Sequence, residues 1–252
     1  MDFSSHEAGT GRPVLLLHGG GGPATVTGLA RHLAGSAHVI APVHPGWDGT
    51  HRPDWLTGVD DLALAYLHHV RDRGLRDVLV VGSSLGGWIA AEMAVRDNAG
   101  TITGLVLIDA VGVSVEHHPI TDFFALDARG VAEHSWHDWQ RYYVDPAGLP
   151  ADELARRQGN MATMRLLAGD PYMHDPNLLG RLGRVQVPAV LIWGESDRIV
   201  TPAYGAAYAA AFGNGRLEVI PGAGHLPHIE QPEATAALID AAVSWQGAFR
   251  PS

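Results

Sequence analysis

The chain has 252 residues, 46% hydrophobic and 17% charged, which suits a globular protein with one large α/β domain or a core domain carrying an insertion. A formal charge of −10 offers no electrostatic attraction to nucleic acid or to an anionic membrane surface, so neither is expected as a partner. All seventeen basic residues are arginines and cysteine is absent, which excludes Schiff-base and phosphate-loop lysines, disulfides, thiolate metal sites and cysteine nucleophiles.

Short apolar runs alternate with helical patterns, as in a mainly parallel sheet flanked by helices. The first six residues, Met-Asp-Phe-Ser-Ser-His, carry neither a basic nor an apolar region, so a signal peptide is not expected; no apolar run reaches membrane-spanning length, and a cytoplasmic protein is the expectation. A strand predicted over 14–17 runs into His18-Gly19-Gly20-Gly21-Gly22, and one over 39–43 into His44-Pro45-Gly46-Trp47. A helix is predicted over 56–70, where Leu62, Ala65, Tyr66 and His69 recur about one turn apart. The third strand, 78–81, leads through Gly82-Ser83-Ser84 into a helix over 85–96, and the fourth, 105–108, closes on Asp109. Residues 112–187 hold no clear buried strand but many aromatic and methionine residues, and read as a helical insertion between core segments 1–111 and 188–252. A strand over 189–193 then precedes Glu195-Ser196-Asp197, with a helix over 203–212. A last strand, 217–220, precedes Gly222-Ala223-Gly224-His225, and a helix follows over 232–245.

Every polar cluster therefore follows a strand, and in a parallel sheet these positions share the carboxyl edge where ligand crevices form. Gly82-Ser83-Ser84-Leu85-Gly86 fits the G-x-S-x-G turn that presents a nucleophilic serine between strand and helix. A plain capping serine would explain the turn equally well if it stood alone. A serine hydroxyl needs a general base and an orienting acid, and His225 and Asp197 stand in the right order for both roles. His228 is a rival base, and Glu195 and Asp109 are rival acids. The oxyanion donors would be the N–H of Leu85 at a helix start and that of Gly20, with Gly21 as alternative. Gly19-x-Gly21-x-x-Ala24 also matches a dinucleotide fingerprint, but the next strand ends without the carboxylate a ribose needs. His134 and His137, with His117 and His118 nearby in sequence, lack an evident third ligand, so no metal and no cofactor are expected.

Together these motifs resemble the α/β-hydrolase superfamily over almost the whole chain. His18-Gly19-Gly20 is similar to its oxyanion loop, Gly82 to Gly87 to its nucleophile turn, Asp197 and His225 to its acid and base, and 112–187 to its cap. The resemblance implies a serine hydrolase cleaving a carboxylic ester of a small apolar molecule through an acyl-enzyme. A C–C bond hydrolase of the meta-cleavage type and a non-catalytic small-molecule receptor are the alternatives. A serine at position 84 speaks against the epoxide- and halide-cleaving relatives, which use aspartate, and the lack of lysine speaks against hydroxynitrile lyases. Candidate substrate-binding side chains are His18, Trp47, Trp88 and Leu226, with Phe124 and Trp136 from the insertion, whose aromatic stripe would serve partly as its own core. Only about a dozen residues precede Val14, so the family's first strand is expected to be missing, leaving a sheet of seven strands or so.

Overall fold

A computed structural model describes residues 3–245. Seven strands form one sheet in the order β1-β3-β2-β4-β5-β6-β7: β1 Ser5–Ala8, β2 Pro13–Leu17, β3 His38–Pro42, β4 Val78–Ser83, β5 Ile102–Ile108, β6 Ala189–Gly194 and β7 Gly215–Ile220. Strands β2 to β7 are parallel, and β1 pairs antiparallel with β3 from Ser5↔Pro42 to Ala8↔Val39. The seven-strand expectation holds. The short β1 was not legible, because Ser-His-Glu-Ala has neither β-branched residues nor apolar alternation, and only its pairing on the sheet edge makes it a strand.

Strands β2 to β6 are apolar on both faces because both are covered. Leu15, Leu17, Val80, Leu105, Leu107, Leu191 and Trp193 share one core with α2 Val59–Asp72, α3 Leu85–Arg96 and α8 Pro202–Ala211. Val14, Leu16, Val81, Val106, Ile108, Val190 and Ile192 share the other with α1 Thr27–Leu33 and α10 Pro232–Val243. The alternation follows from the two-residue period of a strand, which sends successive side chains to opposite helical layers. The helix predicted from residue 56 begins at Val59 instead. The Asp61 carboxylate accepts the N–H of Thr57 at 2.8 Å and so closes the preceding turn.

Residues 112–187 are helical among the described residues, with α4 Ala128–Ser135, α5 Trp139–Tyr142, α6 Ala151–Ala168 and α7 Leu178–Arg181, joined by 3₁₀ turns. Beyond Val113, which bonds Tyr204 of α8, their polar contacts with the core fall on the loops after β3, β6 and β7. The helical segment thus lies over the carboxyl edge of the sheet.

Candidate active site

The chain leaves β4 at Ser83 and enters α3 at Leu85, so Ser84 alone makes the turn. Its backbone lies at φ 53°, ψ −114°, a conformation an L-residue adopts only when its surroundings enforce it. They do: its N–H donates to Ile108 O at 2.8 Å and its carbonyl accepts from Gly87 and Trp88 at 3.0 and 3.2 Å. Glycine at 86 is obligatory, because a Cβ there would stand 2.7 Å from the His18 carbonyl oxygen and closer still to that of Leu17. Close approach of α3 to the end of β2 is what brings the His18 loop beside the serine.

The Ser84 hydroxyl lies 2.9 Å from His225 Nε2, and His225 Nδ1 lies 2.7 Å from Asp197 Oδ2. Asp197 is buried, and its other oxygen accepts the N–H groups of Ile199 and Val200 at 2.8 and 3.1 Å. With both carboxylate oxygens engaged, the residue is held as a fixed acceptor, and Nδ1 must carry the imidazole proton toward it. Nε2 is then left as the acceptor for the serine hydroxyl. The rivals do not fit. Glu195 is exposed and accepts from Gly222. His228 is buried with Nε2 donating to Thr25 O at 3.2 Å, and burial pushes its pKa down to about 4. Asp109 is buried beside the pair, with Oδ1 accepting the Gly194 N–H at 2.9 Å. Asp109, Asp197 and His225 each place one ligating atom within 4.8 Å of the others, a grouping a metal could use only by displacing the hydrogen bonds just described.

Gly19 to Gly22 form a tight turn, closed by Gly22 N–H to Gly19 O at 3.1 Å, whose first residue abuts Ser84: a Cβ on Gly19 would stand 3.1 Å from the serine Cβ. His18 and Trp47 orient this turn. His18 Nδ1 donates to the Gly19 carbonyl at 2.7 Å and Trp47 Nε1 to the Gly20 carbonyl at 2.9 Å. In a trans peptide the N–H points opposite to its C=O, so these two bonds aim the N–H groups of Gly20 and Gly21 away from His18 and Trp47. Neither N–H, nor that of Leu85 at the start of α3, has a hydrogen-bond partner among the described residues. His44 completes the support: its N–H donates to His18 Nε2 at 3.1 Å, its Nε2 donates to the His18 carbonyl at 2.8 Å, and the Tyr66 hydroxyl donates to its Nδ1 at 2.6 Å. Each ring therefore uses one nitrogen as donor and one as acceptor, which only neutral imidazoles can do. Burial accordingly lowers the His18 pKa to about 4 and that of His44 well below the usual range.

These bonds correct the sequence reading of His18 and Trp47 as substrate contacts. Both are fully buried, and all three of their ring nitrogens are spent on holding the turn. Trp88 is also corrected: it is 5% exposed on α3, bonded to Glu92 at 3.1 Å and packed under Gly112. Phe124 and Trp136 are half-buried in the helical segment, where Phe124 lies under the Arg165 guanidinium and Trp136 stacks on Tyr142. Leu226 is half-buried next to His225.

Sequence reasoning missed Glu230 and the contacts of α6. One Glu230 carboxylate accepts from Gly224 N at 2.6 Å, His137 N at 3.0 Å and Asp138 N at 3.1 Å, while the His225 N–H donates to Ser135 O at 2.6 Å. The helical segment is thereby tied into the His225 loop. It is tied into the Asp197 loop as well, through Arg198 N to His134 O at 3.0 Å and Thr121 N to Ile199 O at 2.9 Å. On the other side, Asn160 and Arg156 of α6 bond Asp48 at 2.9 and 2.7 Å, and Met164 lies against Gly20. No short motif signals these pairings, since each joins positions far apart in the chain.

A nucleophilic serine at a strand–helix turn, with base and acid from later strands of the same parallel sheet, defines a class of enzyme fold, and comparison with known proteins places the chain within it. Residues 14–238 match the model of the alpha/beta hydrolase family, and the chain belongs to that family. Over 245 residues it is 29% identical to a 2-hydroxy-6-oxo-6-(2'-aminophenyl)hexa-2,4-dienoic acid hydrolase of Metapseudomonas resinovorans, covering 90% of this chain and 82% of the relative. Its fold is similar to that of a meta-cleavage product hydrolase from Pseudomonas fluorescens IP01 (TM-score 0.77, 20% identity, 94% and 92% of the two chains). It is equally similar to an esterase from Exiguobacterium antarcticum (TM-score 0.76, 17% identity, 96% and 95%).

Proposed function

We propose that the protein is a serine hydrolase that cleaves a carboxylic ester of a small, largely apolar molecule. The observation that carries this reading is the unbroken chain Ser84–His225–Asp197, with spacings of 2.9 and 2.7 Å. Ser84 Oγ attacks the ester carbonyl as its proton passes to His225 Nε2, and Asp197 stabilises the imidazolium and holds its orientation. The alkoxide that forms on the former carbonyl is met by the N–H of Leu85, where the α3 dipole also favours negative charge, and by that of Gly20 or Gly21. His225 returns the proton to the departing alcohol. Water, deprotonated by the same imidazole, then releases the acid from Ser84. The helical segment 112–187 acts as the cap and brings Phe124 and Trp136 to the substrate, while Leu226 meets it from the loop after β7. A fluorophosphonate should label Ser84 covalently, as read by mass spectrometry of the modified peptide. Intact protein after that treatment would argue for a non-catalytic receptor.

A second reading, hydrolysis of a C–C bond in a vinylogous diketone acid, draws support from the activity for which the 29% identical relative is named. Such a substrate carries a carboxylate and calls for a cation beside the serine. Several arginines of the helical segment are already committed: Arg129 to Glu133, Arg156 to Asp48 and Glu153, Arg157 to Glu153 and Arg181 to Asp175. Arg165, over the Phe124 ring, pairs with no carboxylate among the described residues, so the ester is preferred only because it needs no cation at all, and turnover of dienoates would reverse that order.

A further inference from the structure

Asp109 is a buried ionisable side chain beside the proposed triad that the mechanism leaves idle. It closes β5, where its backbone takes φ 43°, again a conformation that needs enforcement, and its N–H donates to Ile192 O at 2.9 Å. The side chain is fully buried. Oδ1 accepts the Gly194 N–H at 2.9 Å, and Oδ2 is buried with no hydrogen-bond partner. One ligating atom each of Asp109, Asp197 and His225 lies within 4.8 Å of the other two. The charged or titratable groups that face it are Asp197 on the loop after β6, and His225 and Glu230 on the loop and short helix after β7.

Two ionised carboxylates cannot share so dry a space without a large electrostatic penalty, and Asp197 is the one with donors on both oxygens. Asp109 has a single N–H donor and an orphaned second oxygen, the arrangement that suits a carboxylic acid holding its own proton. We propose that Asp109 is a positioning residue for the triad: a neutral carboxylic acid whose Oδ2 proton is shared with Asp197, so that the pair carries one negative charge and Asp197 is held toward His225. The extended chain then reads Asp109–Asp197–His225–Ser84. Its one mobile proton during attack is that of Ser84, which moves to His225 Nε2, while the proton between the two carboxyls stays there. Burial and the neighbouring Asp197 charge both push the Asp109 pKa well above the usual carboxylate range, in agreement with this geometry. The catalytic side of the proposal rests on the serine-hydrolase reading, but the protonation of Asp109 does not.

The test combines infrared spectroscopy with a pH profile on the full-length protein. At neutral pH the wild type should show the carbonyl stretch of a protonated carboxylic acid, and Asp109→Asn should lack it. Because an amide is also neutral, accepts from Gly194 and can donate to Asp197, Asp109→Asn should keep kcat within about twofold, with the acid limb of kcat/KM in place. Asp109→Leu, of similar bulk with no donor, should lose about tenfold or more in kcat. Linkage gives a further readout. An acid whose folded pKa is raised binds more protons folded than unfolded, so its contribution to stability falls as pH rises above the unfolded value near 4. The difference in unfolding free energy between wild type and Asp109→Asn should therefore shift in favour of Asn as pH rises from about 5 to 8. Absence of the acid band, or a downward shift of the acid limb in Asp109→Asn, would overturn the proposal, since either means that Asp109 is ionised and acts as a second anion on His225. If Asp109→Leu does not fold, the band and the Asn profile still decide. If the wild type cleaves no substrate, the infrared and stability arms still report the protonation state, so the two failures are separate results.

Discussion

Ser84 and the groups around it illustrate how much a single backbone conformation demands. At φ 53° the residue stores strain, and it is stable there because β4, β5 and α3 fix its N–H and carbonyl on either side. The glycine turn after β2 is held by comparable means, with neutral imidazoles in place of strand pairing. Trp47→Phe removes the bond to the Gly20 carbonyl while keeping most of the bulk. It should lower kcat about five- to tenfold with little change in KM, the loss of roughly one hydrogen bond felt mainly in the transition state. An unchanged kcat would show that the turn needs no such support. The buried histidines also set an acid limit. Burial pushes the His18 and His228 imidazoles down to about 4 in the folded protein, against about 6.5 when unfolded, and holds His44 well below the usual range. Below pH 6.5 the unfolded chain binds more protons than the folded one, so stability should drop as pH falls from about 6.5 toward 4. His228→Gln, whose amide can still donate to Thr25, should make that drop shallower in pH-dependent melts; an identical slope would contradict the assignment of His228 as buried and neutral.

The elements were legible in the sequence to unequal degrees, and the reasons are physical. Strands β2 to β6 are buried on both faces, so their apolar runs stand out, and candidate residues could be picked after each because a turn at a strand end needs specific residues. Ser84, Asp197 and His225 were accessible in that way. The facing of His18, Trp47 and Trp88 was not, because an aromatic ring beside a loop reads the same whether it meets a ligand or a backbone carbonyl. Nor was the docking of the helical segment, which depends on Glu230 reaching the N–H groups of Gly224, His137 and Asp138. Glu230→Gln replaces one acceptor oxygen with a donor and removes the charge. It should cost roughly 2 kcal/mol, the scale of a charge-assisted hydrogen bond lost in a half-buried site. Amide exchange should quicken at those three positions, where uniform protection would contradict the clamp. Gly86→Ala should be worse, since its methyl group meets the Leu17 and His18 carbonyls of the adjacent β2 end. A loss of about 1–3 kcal/mol or failure to fold is expected in denaturant unfolding.

At the scale of the whole molecule, the doubly covered sheet brings six strand ends to one edge, and the helical segment closes over that edge with bonds on both sides. It is fastened to the Asp197 and His225 loops through residues 121 and 133–138, and to the Gly20 turn and Asp48 through α6. Substrate entry must therefore use what these contacts leave open, or break some of them. The same architecture serves relatives named for different activities, so fold alone does not select a substrate. A panel of dienoates set against neutral esters separates the two readings, and preference for the dienoates would move the protein to the C–C hydrolases. The most direct test of the central claim is hydrolysis of p-nitrophenyl esters of increasing acyl length by wild type and Ser84→Ala side by side. An ester hydrolase working through Ser84 should turn over short or medium esters, and the variant should lose about a thousandfold or more in kcat with its fold intact. Near-normal turnover by Ser84→Ala, or no cleavage of any ester by the wild type, would contradict it.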